Sequence, residues 1–213
     1  MFIAVEGIDG SGKDTQISLL VQWFTDINLP VLQTAEPSTG PIGCMIKNIF
    51  KNKSKIYDDI VVDANSHLFD KHMAILFAAD RYDHLYNAET GIILDLNKGT
   101  NVVSGRYFMS SYAYHSSNSE DYDFVDSLNK NYIKPDLLIY LDCPVDIAME
   151  RINQRKTPKD SYEYAEKLTL VYNNYAKFLT NYREPVLKIS ATLPVDKIHQ
   201  LIVNSLSELY YLN

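Results

Sequence analysis

The sequence predicts an α/β protein with a five-stranded parallel sheet that is flanked by helices on both faces. Short apolar runs alternate along the whole chain with longer stretches in which apolar residues recur at helical spacing. Each run is apolar at successive positions, which is typical of strands that helices cover on both sides. The sequence contains no internal repeat and no linker, so residues 1–213 are expected to form a single domain.

The order of the elements follows from these runs and from the turn-forming residues between them. The predicted strands are residues 2–5, 30–34, 101–104, 136–142 and 186–189. The first predicted helix directly follows the glycine-rich loop at 7–12. The other predicted helices are residues 42–50, 65–87, 92–98, 110–116, 144–154, 162–182 and 195–210. Polar loops are predicted at 51–59 and 155–161. Gly99 ends one of these helices and Pro144 opens another, as these residue types commonly do.

Composition excludes several classes of protein. A hydrophobic content of 46% and a charged content of 22% are those of an ordinary globular protein. The net charge of −7 does not favour a nucleic-acid partner. Cys44 and Cys143 cannot form a disulfide framework, and each is expected to be a buried free thiol. We expect no signal peptide, no membrane segment and a cytoplasmic location.

The glycine-rich loop carries the strongest functional signal. Gly7, Gly12 and Lys13 have the Walker A spacing, in which backbone N–H groups and a helix N-terminus surround a phosphate chain. A chance glycine-rich turn is the alternative, but the strand before it and the helix after it favour phosphate binding. The predicted ATP-binding residues here are Gly7, Ile8, Asp9, Gly10, Ser11, Gly12, Lys13, Asp14 and Thr15. One position departs from the motif, because Asp14 replaces the usual serine or threonine ligand of Mg²⁺.

Several basic residues could neutralise phosphates. The candidates are Arg81, Arg106, Arg151, Arg155, Lys156 and Lys159, although each alone could equally be structural or solvated. Arg151 and Arg155 indicate either a mobile lid at about residues 151–163 or an ordinary charged helix end. Phe77 lies one helical turn before Arg81, and spacing alone favours a core position over a platform for a base.

Together these residues resemble the thymidylate kinase family of P-loop nucleotide kinases. The motifs that carry the resemblance are the loop at residues 2–13, Glu36-Pro37, the LFAADR run at 76–81, Arg106-Tyr107 with the SSYAY run at 110–114, and Leu141-Asp142 with Pro144. They occur in order over nearly the whole chain, and the LFAADR run separates this family from other nucleoside monophosphate kinases. The resemblance implies an ATP:dTMP phosphotransferase with a short lid, Mg²⁺ as cofactor and a homodimeric assembly.

The resemblance also implies roles for individual residues. Phe77 would stack on thymine, Arg81 would bind its edge, and Ser110 and Ser111 would line the pocket. Asp9 would hold the deoxyribose 3′-OH, Tyr114 would crowd the 2′ position, and Glu36 and Pro37 would close the acceptor site. Lys13, Arg106, Arg151 and Arg155 would be catalytic, with Arg106 on the dTMP phosphate, a lid arginine at the transition state and Lys159 near ATP.

Three positions depart from the family pattern. Ala35 replaces the arginine before Glu-Pro, Gly105 replaces the aspartate before Arg106, and the lid has Lys159 and Asp160 without the usual arginine. Because one carboxylate is lost at Gly105 and another appears at Asp14, the metal-facing carboxylate is hypothesised to have moved. The alternative is that Asp14 only favours the helix N-terminus.

The departures leave three functions open. The first is phosphorylation of dTMP to dTDP with ATP. The second is a kinase for another monophosphate such as dUMP, and the third is a weakly catalytic nucleotide-binding protein that acts as a sensor. Retention of Lys13, Arg81, Arg106 and Arg155 favours an enzyme over the third function.

Overall fold

The sheet of this computed structural model, which describes residues 1–51, 67–155 and 162–211, has five parallel strands in the order β2-β3-β1-β4-β5. The strands are β1 (Phe2–Glu6), β2 (Val31–Ala35), β3 (Asn101–Gly105), β4 (Leu137–Asp142) and β5 (Val186–Ser190). The predicted fold class is therefore confirmed. Every residue of β1 and β3 is buried, as is most of β4, whereas the edge strands β2 and β5 are partly exposed. The expectation of apolar burial on both faces holds only for the inner strands.

Helices connect the strands and cover both faces of the sheet. They are α1 (Lys13–Asp26), α2 (Pro41–Lys51), α3 (His67–Tyr86), α4 (Ile92–Asn97), α5 (Phe108–His115), α6 (Ser119–Asn129), α7 (Val145–Gln154), α8 (Ala165–Asn181) and α9 (Val195–Tyr211). None of the helices in the described ranges is long and apolar enough to cross a membrane. Most of the predicted loop at 51–59 lies outside the described residues.

Three local expectations are wrong. Helix α6 was not predicted, although Asn118 caps it by accepting a hydrogen bond from the backbone N–H of Asp121 at 2.9 Å. Helix α8 begins at Ala165 rather than at residue 162, because Tyr164 has an extended backbone. Cys143 is buried as expected, but Cys44 is exposed.

The carboxyl ends of three adjacent strands bring the predicted site residues together. The phosphate loop follows the central strand β1, Glu36 follows β2, and Arg106 follows β3. Ala35 and Gly105, two of the positions that depart from the family pattern, are direct partners in the β2–β3 ladder. Ligands of open parallel sheets bind beyond this edge, so the topology places the candidate site there.

Candidate active site

Close packing against α7 explains a glycine in the phosphate loop. Gly10 has a φ of 81°, and a Cβ added to it would lie 2.5 Å from the carbonyl oxygen of Ala148. Gly12, the N-cap of α1, has a left-handed backbone with a φ of 92°. Since glycine adopts such conformations at little cost, the loop can turn sharply and expose its N–H groups at the start of α1.

Lys13 is buried beside this loop, as the motif predicts. Its Nζ donates hydrogen bonds to the carbonyl oxygens of Gly7 at 2.9 Å and Ile8 at 2.8 Å. Burial, together with the positive charge of Arg106, lowers the pKa of Lys13 to about 8. Arg106 also donates to the Gly7 carbonyl, from Nη1 at 3.2 Å. Two cations therefore meet at one carbonyl oxygen, where a phosphate group would be strongly attracted.

Asp14 and Thr15 lie in the exposed first turn of α1. Gly105 is on the neighbouring strand, and a Cβ added to it would lie 3.0 Å from Cδ1 of Ile17, which is one turn after Asp14 on α1. The absent side chain would therefore point towards the first turns of the helix that carries Asp14. The hypothesis of an exchanged carboxylate stays a prediction.

Asp9, Arg106 and Tyr114 form one hydrogen-bonded cluster. Arg106 donates from Nη2 to Oδ1 of Asp9, and the Tyr114 hydroxyl donates to Oδ2 at 2.8 Å. The guanidinium also lies over the Tyr114 ring, 4.8 Å from its centroid. Burial would raise the pKa of Asp9, but the charges of Arg106 and Lys13 and the bond from Tyr114 outweigh it and lower the pKa to about 2. Asp9 is therefore an anion that holds Arg106.

The turn after β2 is held at both ends by consecutive residues of α3. Arg81 is fully buried and donates from Nη2 to Glu36 at 2.5 Å and to Ser111 at 3.2 Å, while its Nη1 donates to Asn129. Asp80 is also fully buried, and its carboxylate accepts from the backbone N–H of Ser38 at 2.7 Å and from its hydroxyl at 2.5 Å. The predicted residues Glu36 and Pro37 are thereby fixed against the helix that carries Phe77.

Phe77 faces an aromatic cluster beside Arg81. Its ring centroid lies 5.3 Å from that of His115 and 6.3 Å from that of Phe50. His115 is 3% exposed, and neither of its ring nitrogens has a hydrogen-bond partner among the described residues. Burial, aided by the charges of Lys167 and Arg81, holds the pKa of His115 well below its usual range. A neutral imidazole with one free donor and one free acceptor therefore lies next to Phe77.

The lid arginines have different surroundings. Arg151 donates to the carbonyl oxygens of Gly10 at 3.3 Å and Ala191 at 2.9 Å, so it contacts the back of the phosphate loop. Arg155 is more exposed and pairs with Glu163 at 2.7 Å. Lys159 and the rest of residues 156–161, the middle of the predicted lid, lie outside the described residues.

Sequence reasoning missed three residues that the structure places in the site. Glu6 accepts hydrogen bonds around Arg106, Asp80 holds Ser38, and His115 lies against Phe77. The sequence offered little indication of these roles, since Glu6 follows the predicted strand at 2–5 and Asp80 entered only as part of the LFAADR run at 76–81. All three are nevertheless buried polar side chains, which is where a specific role is expected.

Comparison with known proteins gives one consistent result. A family model for thymidylate kinase matches residues 5–202. A protein of Thermococcus onnurineus named "Probable thymidylate kinase" is 36% identical over 203 residues, which cover 95% of this chain and 95% of that protein. A protein of the same name from Thermococcus kodakarensis is 35% identical over 203 residues, with 95% of each chain covered. Another from Methanocaldococcus jannaschii is 32% identical over 209 residues, which cover 98% of this chain and 97% of that protein.

Proposed function

The chain belongs to the thymidylate kinase family, and we propose that it transfers the γ-phosphoryl group of ATP to the phosphate of dTMP, giving ADP and dTDP. The observation that carries this function is the meeting of Lys13 and Arg106 at the Gly7 carbonyl. One cation belongs to the donor loop, and the other belongs to the cluster with Asp9 and Tyr114. A phosphoryl group in transfer between two phosphates needs positive charge on both sides.

The attacking atom is already a phosphate oxygen, so no protein general base is required. Lys13 binds the donor phosphates, and Arg106 binds the phosphate of dTMP. Bound phosphates would raise the pKa of Lys13 from about 8, because they add negative charge beside a group whose pKa is lowered by burial and by Arg106. The chain therefore acts mainly by alignment and by charge stabilisation.

The acceptor nucleoside lies along α3 and α5 in this proposal. Phe77 stacks on thymine, Arg81 and Ser111 bind the base edge, and Ser110 lines the pocket. Asp9 binds the 3′-OH, Tyr114 lies at the 2′ position, and Glu36 and Pro37 close the site. Support comes from Arg81, which bonds to both Glu36 and Ser111, and from the cluster in which Asp9 and Tyr114 surround Arg106.

Mg²⁺ fits the site as an ion held mainly by the phosphates of ATP. The described residues contain no group of three or more His, Cys, Asp or Glu side chains that could hold a metal. Mg²⁺ commonly takes one or two carboxylates together with phosphate oxygens and water, and the exposed Asp14 follows Lys13 directly. When bound, the ion would neutralise charge on the phosphates. Asp14→Asn should then weaken Mg²⁺-dependent ATP binding, whereas Asp196→Asn, in the first turn of α9, should not. If both variants bind ATP with the same Mg²⁺ dependence, Asp14 is not a ligand of the ion.

Arg151 and Arg155 complete the donor side in the proposal. Arg151 contacts the Gly10 carbonyl and steadies the loop, and Arg155 is free to exchange Glu163 for a phosphoryl oxygen. The Arg155 side chain is 43% exposed, so its guanidinium can reach a phosphoryl oxygen, whereas the Glu163 side chain is only 7% exposed. Single-turnover rates should fall more for Arg155→Met than for Arg183→Met, which removes an arginine outside the site.

A homodimer would cover an apolar stripe on α3. Leu68, Ile75 and Tyr82 recur every seven residues and are 68%, 50% and 62% exposed. Such a stripe is unusual on a helix that faces water. Light scattering should report a dimer, and Ile75→Lys should shift it towards monomer more than Leu201→Lys on α9. A monomeric wild type would refute the proposed homodimer.

The cytoplasmic location stays a prediction.

The activity itself is tested by ADP release from ATP with a panel of nucleoside monophosphates. We expect dTMP to give the highest kcat/KM, and Lys13→Met and Arg106→Met each to lower it by several orders of magnitude. A higher kcat/KM with another monophosphate would redirect the proposal. ATP binding without turnover on any monophosphate would refute it.

A further inference from the structure

Glu6 is a buried carboxylate to which the reaction assigns no role. It is the last residue of β1 and has no exposed surface. Its Oε1 accepts from the backbone N–H groups of Tyr107 at 2.8 Å and Ser110 at 3.1 Å. Its Oε2 accepts from the hydroxyls of Ser110 at 2.7 Å and Tyr175 at 2.8 Å. One side chain thus gathers the start of α5 and the middle of α8 around the end of β1.

The same two hydroxyls contact Arg106. Nη1 of Arg106 lies 3.0 Å from Oγ of Ser110 and 3.4 Å from the hydroxyl oxygen of Tyr175. A hydroxyl has one hydrogen, and when that hydrogen points at Glu6 the lone pairs of the oxygen are left for a donor on the other side. The carboxylate therefore sets the direction of both hydroxyls and makes them acceptors for the guanidinium.

Glu6 also controls the backbone at Arg106. This residue has a φ of 67°, a left-handed conformation that residues other than glycine rarely adopt. The peptide N–H that follows it is that of Tyr107, which Glu6 binds. The strained conformation is thus held at its next amide, as expected where structure over-determines an unfavourable backbone.

We propose that Glu6 is a positioning residue that fixes the backbone and the guanidinium of Arg106 for the phosphate of dTMP. The inference rests on the proposed function of Arg106. Asp9 holds Nη2 directly, whereas Glu6 holds Nη1 through two hydroxyls and holds the main chain through the Tyr107 amide. Burial raises the pKa of Glu6, opposed by the charge of Arg106 and by hydrogen bonds from Ser110, Tyr175 and the Tyr107 amide, so this carboxylate is costly to keep without such partners.

Glu6→Gln gives the sharpest test because it keeps the shape of the side chain. An amide nitrogen in the place of Oε2 donates to both hydroxyls. Because these oxygens lie 3.0 Å apart, one hydroxyl can donate to the other, but the remaining hydrogen then turns towards Arg106. We expect the affinity for dTMP to fall about tenfold, as for the loss of a hydrogen bond to a charged group. The affinity for thymidine, which lacks the phosphate, should stay within about twofold, because Arg106 has no phosphate to bind.

Tyr175→Phe is the second variant, in case the buried amide prevents folding. It removes one of the two bridging hydroxyls and keeps the ring. Titration calorimetry with dTMP and with thymidine should show the same selective loss, about threefold for dTMP alone. Equal losses for both ligands would mean that the network is merely structural, and unchanged binding of both would mean that it does not position Arg106. Either result overturns the inference.

Arg106→Met, measured in parallel, separates this inference from the proposed function. If Arg106→Met abolishes the preference for dTMP over thymidine while Glu6→Gln and Tyr175→Phe keep it, the phosphate role stands and the role of Glu6 is wrong. If Arg106→Met keeps the preference, the phosphate role of Arg106 fails first, and the inference built on it falls with it.

Discussion

Replacing Asp80 should loosen the turn that closes the acceptor site. The Asp80 carboxylate is fully buried and accepts hydrogen bonds from both the N–H and the hydroxyl of Ser38. Ser38 is itself 4% exposed, so water does not readily replace the lost acceptor. Asp80→Ala therefore leaves two buried donors without their partner and releases one end of the turn that carries Glu36 and Pro37.

The magnitude follows from these contacts. Each buried donor left unpaired costs about 1–3 kcal/mol. Two effects offset part of this loss of stability. Alanine has a higher helix propensity than aspartate, by up to about 0.7 kcal/mol, and the cost of burying a carboxylate disappears. We expect a net loss of about 3 kcal/mol of unfolding free energy. For a chain of this length that lowers Tm by about 6–12 °C.

Thermal unfolding without nucleotide measures the stability, and initial rates measure the effect on the site. The KM for dTMP should rise more than the KM for ATP, because the turn lies on the acceptor side. Asp83→Ala is the matched control on the same helix, where a half-buried carboxylate accepts one hydrogen bond from Asn87 at 3.0 Å. If Asp80→Ala and Asp83→Ala lower Tm equally, Asp80 does not hold the turn and the reasoning fails.

Three further predictions concern the loop, the lysine and the base pocket. Gly10→Ala should lower stability and ATP affinity far more than Gly99→Ala. Both glycines have a φ of 81°, but only at Gly10 would the added Cβ clash, 2.5 Å from the carbonyl oxygen of Ala148. Similar losses in the two variants would show that the clash is not the cause. Between about pH 8 and pH 10.5, Lys13 binds more protons in the unfolded chain than in the folded one. Without nucleotide, the free energy of unfolding of the wild type should therefore rise with pH relative to that of Lys13→Met. Parallel curves of unfolding free energy against pH for the two proteins would contradict the lowered pKa. His115→Leu should leave Tm unchanged or higher, because the ring nitrogens have no partner among the described residues. It should raise the KM for dTMP about 2–12-fold, which corresponds to the loss of one hydrogen bond between the imidazole and the base. An unchanged KM would show that His115 does not belong to the base pocket.

The fold could be predicted because its strands are strong local signals. Apolar runs located all five strands, and glycine and proline marked several helix ends. The strand order was not predicted, because it depends on pairing between segments far apart in the chain. Helix α6 was missed because it is acidic and has few apolar positions, although Asn118 before it is a good N-cap.

The site was predictable where a motif names its residues and much less so elsewhere. Lys13 and Arg106 followed from their motifs, and the structure places both at the Gly7 carbonyl. Glu6 was not recognised, because its partners are Ser110 and Tyr175, more than a hundred residues away. Spacing alone gives no information on such contacts, which arise only when the strands and helices pack.

Ala35 and Gly105 each lack a charged side chain of the family pattern, a cation and an anion respectively. In the ladder they are partners, and a Cβ on Gly105 would lie 3.5 Å from that of Ala35. An arginine and an aspartate at these positions would be counter-ions, so their joint absence leaves the local charge unchanged. An aspartate restored alone at the buried position 105 would lack its counter-ion and would press against Ile17 at 3.0 Å, whereas an arginine restored alone at the exposed position 35 would be solvated. We therefore expect a one-sided dependence, in which a chain that regains the aspartate needs the arginine in the same step, but not the reverse.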